Sequence, residues 1–208
     1  MDPRLAAVQI AEIQSRLSHA QTFRGYRSIT VAATGLLALL AAGVQPALVP
    51  EPARTPLSWL GLWLSVAVVG AVAVGVELAV RCRRSGSPWF VRLTVSAVSR
   101  FLPCVVAGAA VTAVLALSAP ETLWLLPGLW AVLFSLGVFA SCTVMPREIV
   151  WVGAFYLAAG IASLLFARGA AAFAPEAMAI PFGVGQLLTA ANLYWRLECG
   201  HDESSRND

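Results

Sequence analysis

Residues 57–80 read LSWLGLWLSVAVVGAVAVGVELAV, and Arg81-Cys82-Arg83-Arg84 follows at once. Glu77 is the sole charge in a run longer than the roughly 20 apolar residues that a helix needs to cross a bilayer. In hydrocarbon every backbone N–H and C=O must be bonded within the segment or to a closed barrel, so an apolar run of this length reads as a spanning helix. The arginines that end it read as the polar anchor at one membrane face.

Working outward, the same pattern recurs. The segments are Ile29 to Val49, Leu57 to Val80, Phe101 to Ser118, Leu123 to Cys142, Ile149 to Ala167 and Met178 to Trp195. Pro, Gly and charged residues punctuate each gap, where a helix must stop and restart. The short linkers make neighbouring helices antiparallel. The expected fold is an all-α membrane protein with six transmembrane helices as three antiparallel hairpins, plus an N-terminal cytoplasmic amphipathic helix. Five spans with one re-entrant segment is the alternative. The expected domains are a cytoplasmic helix at 1–27, a transmembrane unit at 28–196 and a polar cytoplasmic tail at 197–208.

Composition agrees. Of 208 residues, 59% are hydrophobic and 12% are charged, against about a quarter charged in soluble domains. A soluble fold of this size would expose too much of that apolar surface. All fourteen basic residues are Arg, which with the abundance of Ala, Gly and Val suggests a GC-rich bacterial genome. No soluble module carries a basic cluster, so no nucleic-acid partner is expected. No cleavable leader is expected either, because the stretch before the first span is polar and lacks a short apolar core.

The arginines also set direction. Arg4, Arg16, Arg24 and Arg27 precede the first span, and Arg81, Arg83, Arg84, Arg92 and Arg100 lie between the second and third. Arg147, Arg196 and Arg206 fall on the same side, while Arg54 and Arg168 alone fall on the other. Twelve against two is a strong positive-inside bias, placing both termini in the cytoplasm of a bacterial inner membrane.

Ala6, Ile10, Ile13, Leu17 and Ala20 form one apolar stripe of a helix over 3–23, supported by an i,i+4 pair of Glu12 and Arg16. Such a helix lies on the membrane surface or, through residues 6–20, engages a protein partner or a second copy. A second amphipathic stretch, Trp89 to Ser99, is expected in the interface before the third span.

A threefold repeat is suggested by Pro50-Glu51, Pro120-Glu121 and Pro175-Glu176, each before a returning helix, and by small-residue clusters around Gly35, Gly108 and Gly160. Gly61-Leu62-Trp63 recurs as Gly128-Leu129-Trp130. Local chemistry offers another account, since Pro suits the first helical position and Glu meets the positive end of the helix dipole. If the repeat holds, Glu51, Glu121 and Glu176 ring one opening and would concentrate cations.

Glu77 is the one acid inside a span. It is either part of a polar pathway or an i,i+4 partner of Arg81. Gln45, Gln186 and Asn192 are neutral polar groups suited to interhelical hydrogen bonds. Pro181, Gly183 and Gly185 would loosen the helix around Gln186. The candidate polar pathway is thus Glu77, Gln186, Glu51, Glu121 and Glu176. Two small-residue ridges, Ala67-Ala71-Gly75 and Ala154-Ala158-Ala162, are expected to pack helices closely, within the chain or at an oligomer interface. Cys82, Cys104, Cys142 and Cys199 have no paired spacing, so no metal is expected. His19 and His201 lie outside the spans, and no HExxH, GxSxG or phosphate loop is present. No catalytic residue and no cofactor are expected.

The stretches Leu102-Pro103-Cys104-Val105-Val106-Ala107-Gly108 and Leu125-Leu126-Pro127-Gly128-Leu129-Trp130, with Phe23-Arg24-Gly25-Tyr26-Arg27, resemble a family of uncharacterised six-span bacterial integral membrane proteins. The resemblance runs through about 100–195. It implies the six-span topology and carries no activity, cofactor or site. The expected function is a non-enzymatic sensor, regulatory or scaffold subunit of the membrane; the alternative is a small channel or transporter for an ion or small solute.

Overall fold

The computed structural model describes residues 28–142 and 149–194. The expected N-terminal helix, Arg147, Cys199 and the C-terminal tail lie outside these residues. Among those described, every regular element is helical. Helix α1 is Ser28–Leu48, α2 Pro56–Ser85, α3 Pro88–Ser118, α4 Leu126–Ser141 and α5 Ile149–Phe166. A 3-10 turn, Pro120–Leu125, leads straight into α4, and another, Gly169–Phe173, follows α5. The last helical run begins as α6 (Pro175–Met178), passes through a π-helical segment (Ala179–Val184) and continues as α7 (Gly185–Leu193).

Five helices are long and apolar enough to cross a membrane: Ser28–Leu48, Pro56–Ser85, Pro88–Ser118, Pro120–Ser141 and Ile149–Phe166. This is a multi-pass helical fold of membrane type. The last run differs from its expected form, Met178 to Trp195. It starts earlier, at Pro175, and its middle is π-helical where Pro181 has no N–H to give to an α ladder.

The chain punctuation works as its chemistry dictates. Pro56 opens α2, and Gly86 closes it in the left-handed region at φ 58°, where a Cβ would be strained. Arg83 and Arg84 occupy the last turn of α2, against the negative end of its dipole. Pro88 then opens α3. No break separates Trp89–Ser99 from the residues after it. The expected interfacial stretch and third span are one helix of 31 residues that runs through Pro103.

The helices follow one another around a ring. Helix α1 packs on α2, α3 on α4, and α5 on the last run; α4 packs extensively on α5, and α1 packs along the whole last run. The remaining seam, α2 against α3, is sparse. Two clusters fill the interior. One, toward the end that carries the Pro-Glu steps, gathers Ala38, Ala42, Trp59, Trp63, Leu123, Leu126 and Phe173. The other, toward the arginine-rich end, gathers Val31, Val138, Ile149, Val152, Tyr156 and Leu193.

Candidate functional site

Glycines set the two tight seams. A Cβ on Gly160 would stand 2.9 Å from the Gly128 carbonyl oxygen and 2.9 Å from the Val132 nitrogen. A Cβ on Gly128 would meet the Gly160 carbonyl at 2.9 Å. Helices α4 and α5 therefore cross with backbone on backbone. At the other seam, a Cβ on Gly35 would lie 3.0 Å from the Gly183 carbonyl and 3.0 Å from Gln186 Cβ. At the sparse seam of α2 with α3, the corresponding glycines are Gly61 and Gly108. This pair does not close, for Gly61 has open space around it and Gly108 meets Leu133 alone at 3.8 Å.

The small-residue ridges are thus not where the close packing occurs. Ala67, Ala71 and Gly75 are exposed, as are Ala158 and Ala162. Dispersion between close backbones drives helix association in lipid, and it is spent here at isolated glycines flanked by larger residues that fill the space beside them.

At the Pro-Glu end α2, α4 and the turn after α5 meet around Trp59, which is fully buried. Its ring stacks on Trp130 of α4, centroids 6.0 Å apart, and meets Phe173 edge-on at 5.2 Å. Beside it Gln45, buried in α1, uses both ends of its amide. Its Nε2 donates to the Phe173 carbonyl at 2.7 Å, and its Oε1 accepts from Trp63 Nε1 at 2.9 Å. Gln45 ties α1 to α2 and to the turn after α5. In the second hairpin Trp130 Nε1 donates to Thr112 Oγ1 at 2.8 Å, and Thr112 donates to the Gly108 carbonyl at 2.7 Å.

Both tryptophans belong to the repeated Gly-Leu-Trp step, and each bonds to a polar residue eighteen positions earlier. The Gly-Leu-Trp step of α2 and that of α4 thus share a pattern of hydrogen bonding. In the last run Gly185 stands two residues after Gly183, where those steps carry tryptophan. Its space is taken by Tyr156, whose Cζ would lie 2.6 Å from a Cβ at Gly185.

Glu51, Glu121 and Glu176 are all exposed, and Glu51 Oε2 accepts from Arg54 at 2.7 Å. The dipole account of the Pro-Glu steps holds for Glu121 and Glu176, which sit in first helical turns. It fails for Glu51, which precedes α2 and whose carbonyl accepts from Thr55. Gln186 is half-buried with its Cβ against Gly35. Glu77 lies at the opposite end, paired with Arg81 at 3.2 Å. Glu77→Gln is expected to leave proton and cation flux in proteoliposomes unchanged. It should lower stability by only about 0.5 kcal/mol, as for partly exposed i,i+4 pairs. A loss of flux would assign Glu77 to a pathway.

The second cluster contains a residue that sequence reasoning passed over. Tyr156 is fully buried among Phe134, Phe155 and Phe182. Among the described residues its hydroxyl has no hydrogen-bond partner, and the same holds for Trp59 Nε1 and Asn192 Oδ1. A lone tyrosine in an apolar span carries no signal of this; only the neighbours reveal it. Tyr156→Phe is expected to raise the unfolding midpoint, worth about 1 kcal/mol, because it removes an unpaired buried hydroxyl without changing the ring. A fall would show that the hydroxyl holds a bound molecule.

Among the described residues no group of three His, Cys, Asp or Glu could hold a metal ion. Comparison with protein-family models, curated proteins and solved structures finds no match to this chain.

Proposed function

We propose that this chain is a six-span protein of a bacterial inner membrane, both termini cytoplasmic, acting as a non-enzymatic sensor, regulatory or scaffold subunit. The observation that carries the reading is the junction of the three hairpins. Its volume is filled by Trp59, Trp63, Trp130 and Phe173, and the polar groups of Gln45, Trp63, Thr112 and Trp130 are bonded to one another or to backbone, which leaves Trp59 Nε1 as the unpartnered polar group there among the described residues. Such an interior supports a rigid scaffold over a conduit, since a path for ions needs polar groups free to replace hydration.

The sixth span is the run 175–193, which packs along α1 like the other spans. Orientation rests on the twelve arginines of one side against two of the other. The partner surface is the stripe of residues 6–20, and the membrane is the other partner. The alternative, a small-solute transporter, draws on the π-helical segment beside the unpaired Tyr156 hydroxyl, since π-bulges recur at functional sites.

Native mass spectrometry of the protein extracted gently from its own membrane tests the choice. The expected result is a stable complex with a second polypeptide that is lost on deleting residues 1–22. A lone or self-associated protein carrying a small bound solute would overturn the subunit reading in favour of transport.

A further inference from the structure

Beside the sparse seam between α2 and α3, the exposed face of α2 has a chemistry of its own. These are the least covered of the spanning helices, with 17% and 6% of their most apolar stretches buried. At 30 and 31 residues each is about 45 Å long, well beyond the roughly 30 Å of hydrocarbon. Their arginine ends therefore stand in the headgroup layer. On one face of α2 at this end a crevice of about 400 Å³ is lined by Glu77, Val80, Arg81 and Arg84.

Leading to it along α2 is an i,i+4 row of exposed valines, Val68, Val72, Val76 and Val80, and the next member of that row is Arg84. Five arginines and no acid lie in 81–100. Glu77 is the nearest carboxylate and pairs with Arg81. Arg83 and Arg84 are exposed and form no ion pair among the described residues. Across the turn Arg92 lies over the Trp89 ring at 5.8 Å, a pairing typical of a headgroup layer. An apolar track that ends in unneutralised guanidinium at interfacial depth matches one amphiphile, a lipid with acyl chains and an anionic phosphate.

We propose that the exposed face of α2 at its arginine-rich end is a binding site for an anionic phospholipid. Its phosphate sits in the crevice at Arg84, and an acyl chain lies along the Val68–Val80 row. Zwitterionic phosphatidylcholine has the same tails but offsets its own phosphate charge, so it binds more weakly. Glu77 competes with the phosphate for Arg81.

The test uses the full chain, delipidated in neutral detergent, with phosphatidylglycerol, phosphatidylcholine or inorganic phosphate added. Bound lipid is counted by native mass spectrometry and stability by the unfolding midpoint. Phosphatidylglycerol is expected to bind and to raise the midpoint, with phosphatidylcholine and inorganic phosphate ineffective. R84Q should weaken phosphatidylglycerol binding about fivefold, from the usual contribution of one arginine at an anionic surface. E77Q should strengthen it, and R168Q, at the far end, should leave it unchanged. Each variant's midpoint without lipid reports folding separately. Equal effects of the two lipids, an equal effect of inorganic phosphate, or identical affinities for R84Q and R168Q would each overturn the proposal.

Discussion

Gly160→Val is expected to leave no folded protein in detergent extracts, or to lower the unfolding free energy by about 3 kcal/mol or more. The Gly160 Cβ position is 2.9 Å from two backbone atoms of α4, the Gly128 oxygen and the Val132 nitrogen. Backbone cannot swing aside as a side-chain tip can, so α4 and α5 must separate along the most extensive seam of the bundle. Overpacking costs about 1–3 kcal/mol even where side chains can yield. Gly160→Ala should already be destabilising. Gly61→Ala is the control, because no atom lies within 4 Å of its Cβ position, and removing a helical glycine adds up to about 1 kcal/mol of helix propensity. Unfolding midpoints of the three variants decide the matter. Equal behaviour of Gly160→Ala and Gly61→Ala would show that the crossing is not as close as drawn.

Gln45→Leu is expected to destabilise by about 2 kcal/mol, the second largest effect. Leucine nearly conserves the volume, so little is lost in packing. What changes is that the Trp63 indole N–H and the Phe173 carbonyl both lose their partner at a buried site. Leaving a buried group orphaned costs about 1–3 kcal/mol. Interhelical hydrogen bonds in membrane proteins average nearer 0.6 kcal/mol when both partners are removed. A double-mutant cycle separates the two quantities: Trp63→Phe in the Gln45→Leu background should cost less than it does in the native chain. Strict additivity of the two substitutions would mean that the bond contributes nothing.

These expectations rest on features that differ in how far the sequence announces them. Helical spans were legible because lipid allows few ways to satisfy a backbone, and long apolar runs follow from that alone. The helix ends were legible where Pro56, Gly86 and Pro88 stand, since their backbone chemistry is local. The join of Trp89–Ser99 with the residues after it was not legible. A polar face implies an interface but says nothing about whether the backbone continues. Gln45 was visible as a polar residue in a span, yet its partners lie 18 and 128 positions away and depend on how hairpins are placed. The small-residue ridges are mostly exposed within the chain for the same reason. Spacing shows that a face is smooth, whereas the neighbour it meets is set by the whole ring.

The amino-acid sequence by itself determined that this is a multi-pass helical chain of membrane type, because long apolar runs follow from transfer of residues between water and lipid. Only the tertiary structure decided which glycines touch, that α4 closes on α5 and α1 on the last run while α2 meets α3 sparsely, and that Trp59 is where α2, α4 and the turn after α5 meet. In lipid every helix face is apolar, so hydrophobicity does not choose between neighbours. The choice falls to shape and to a few hydrogen bonds between residues distant in the chain, and neither is written in local pattern.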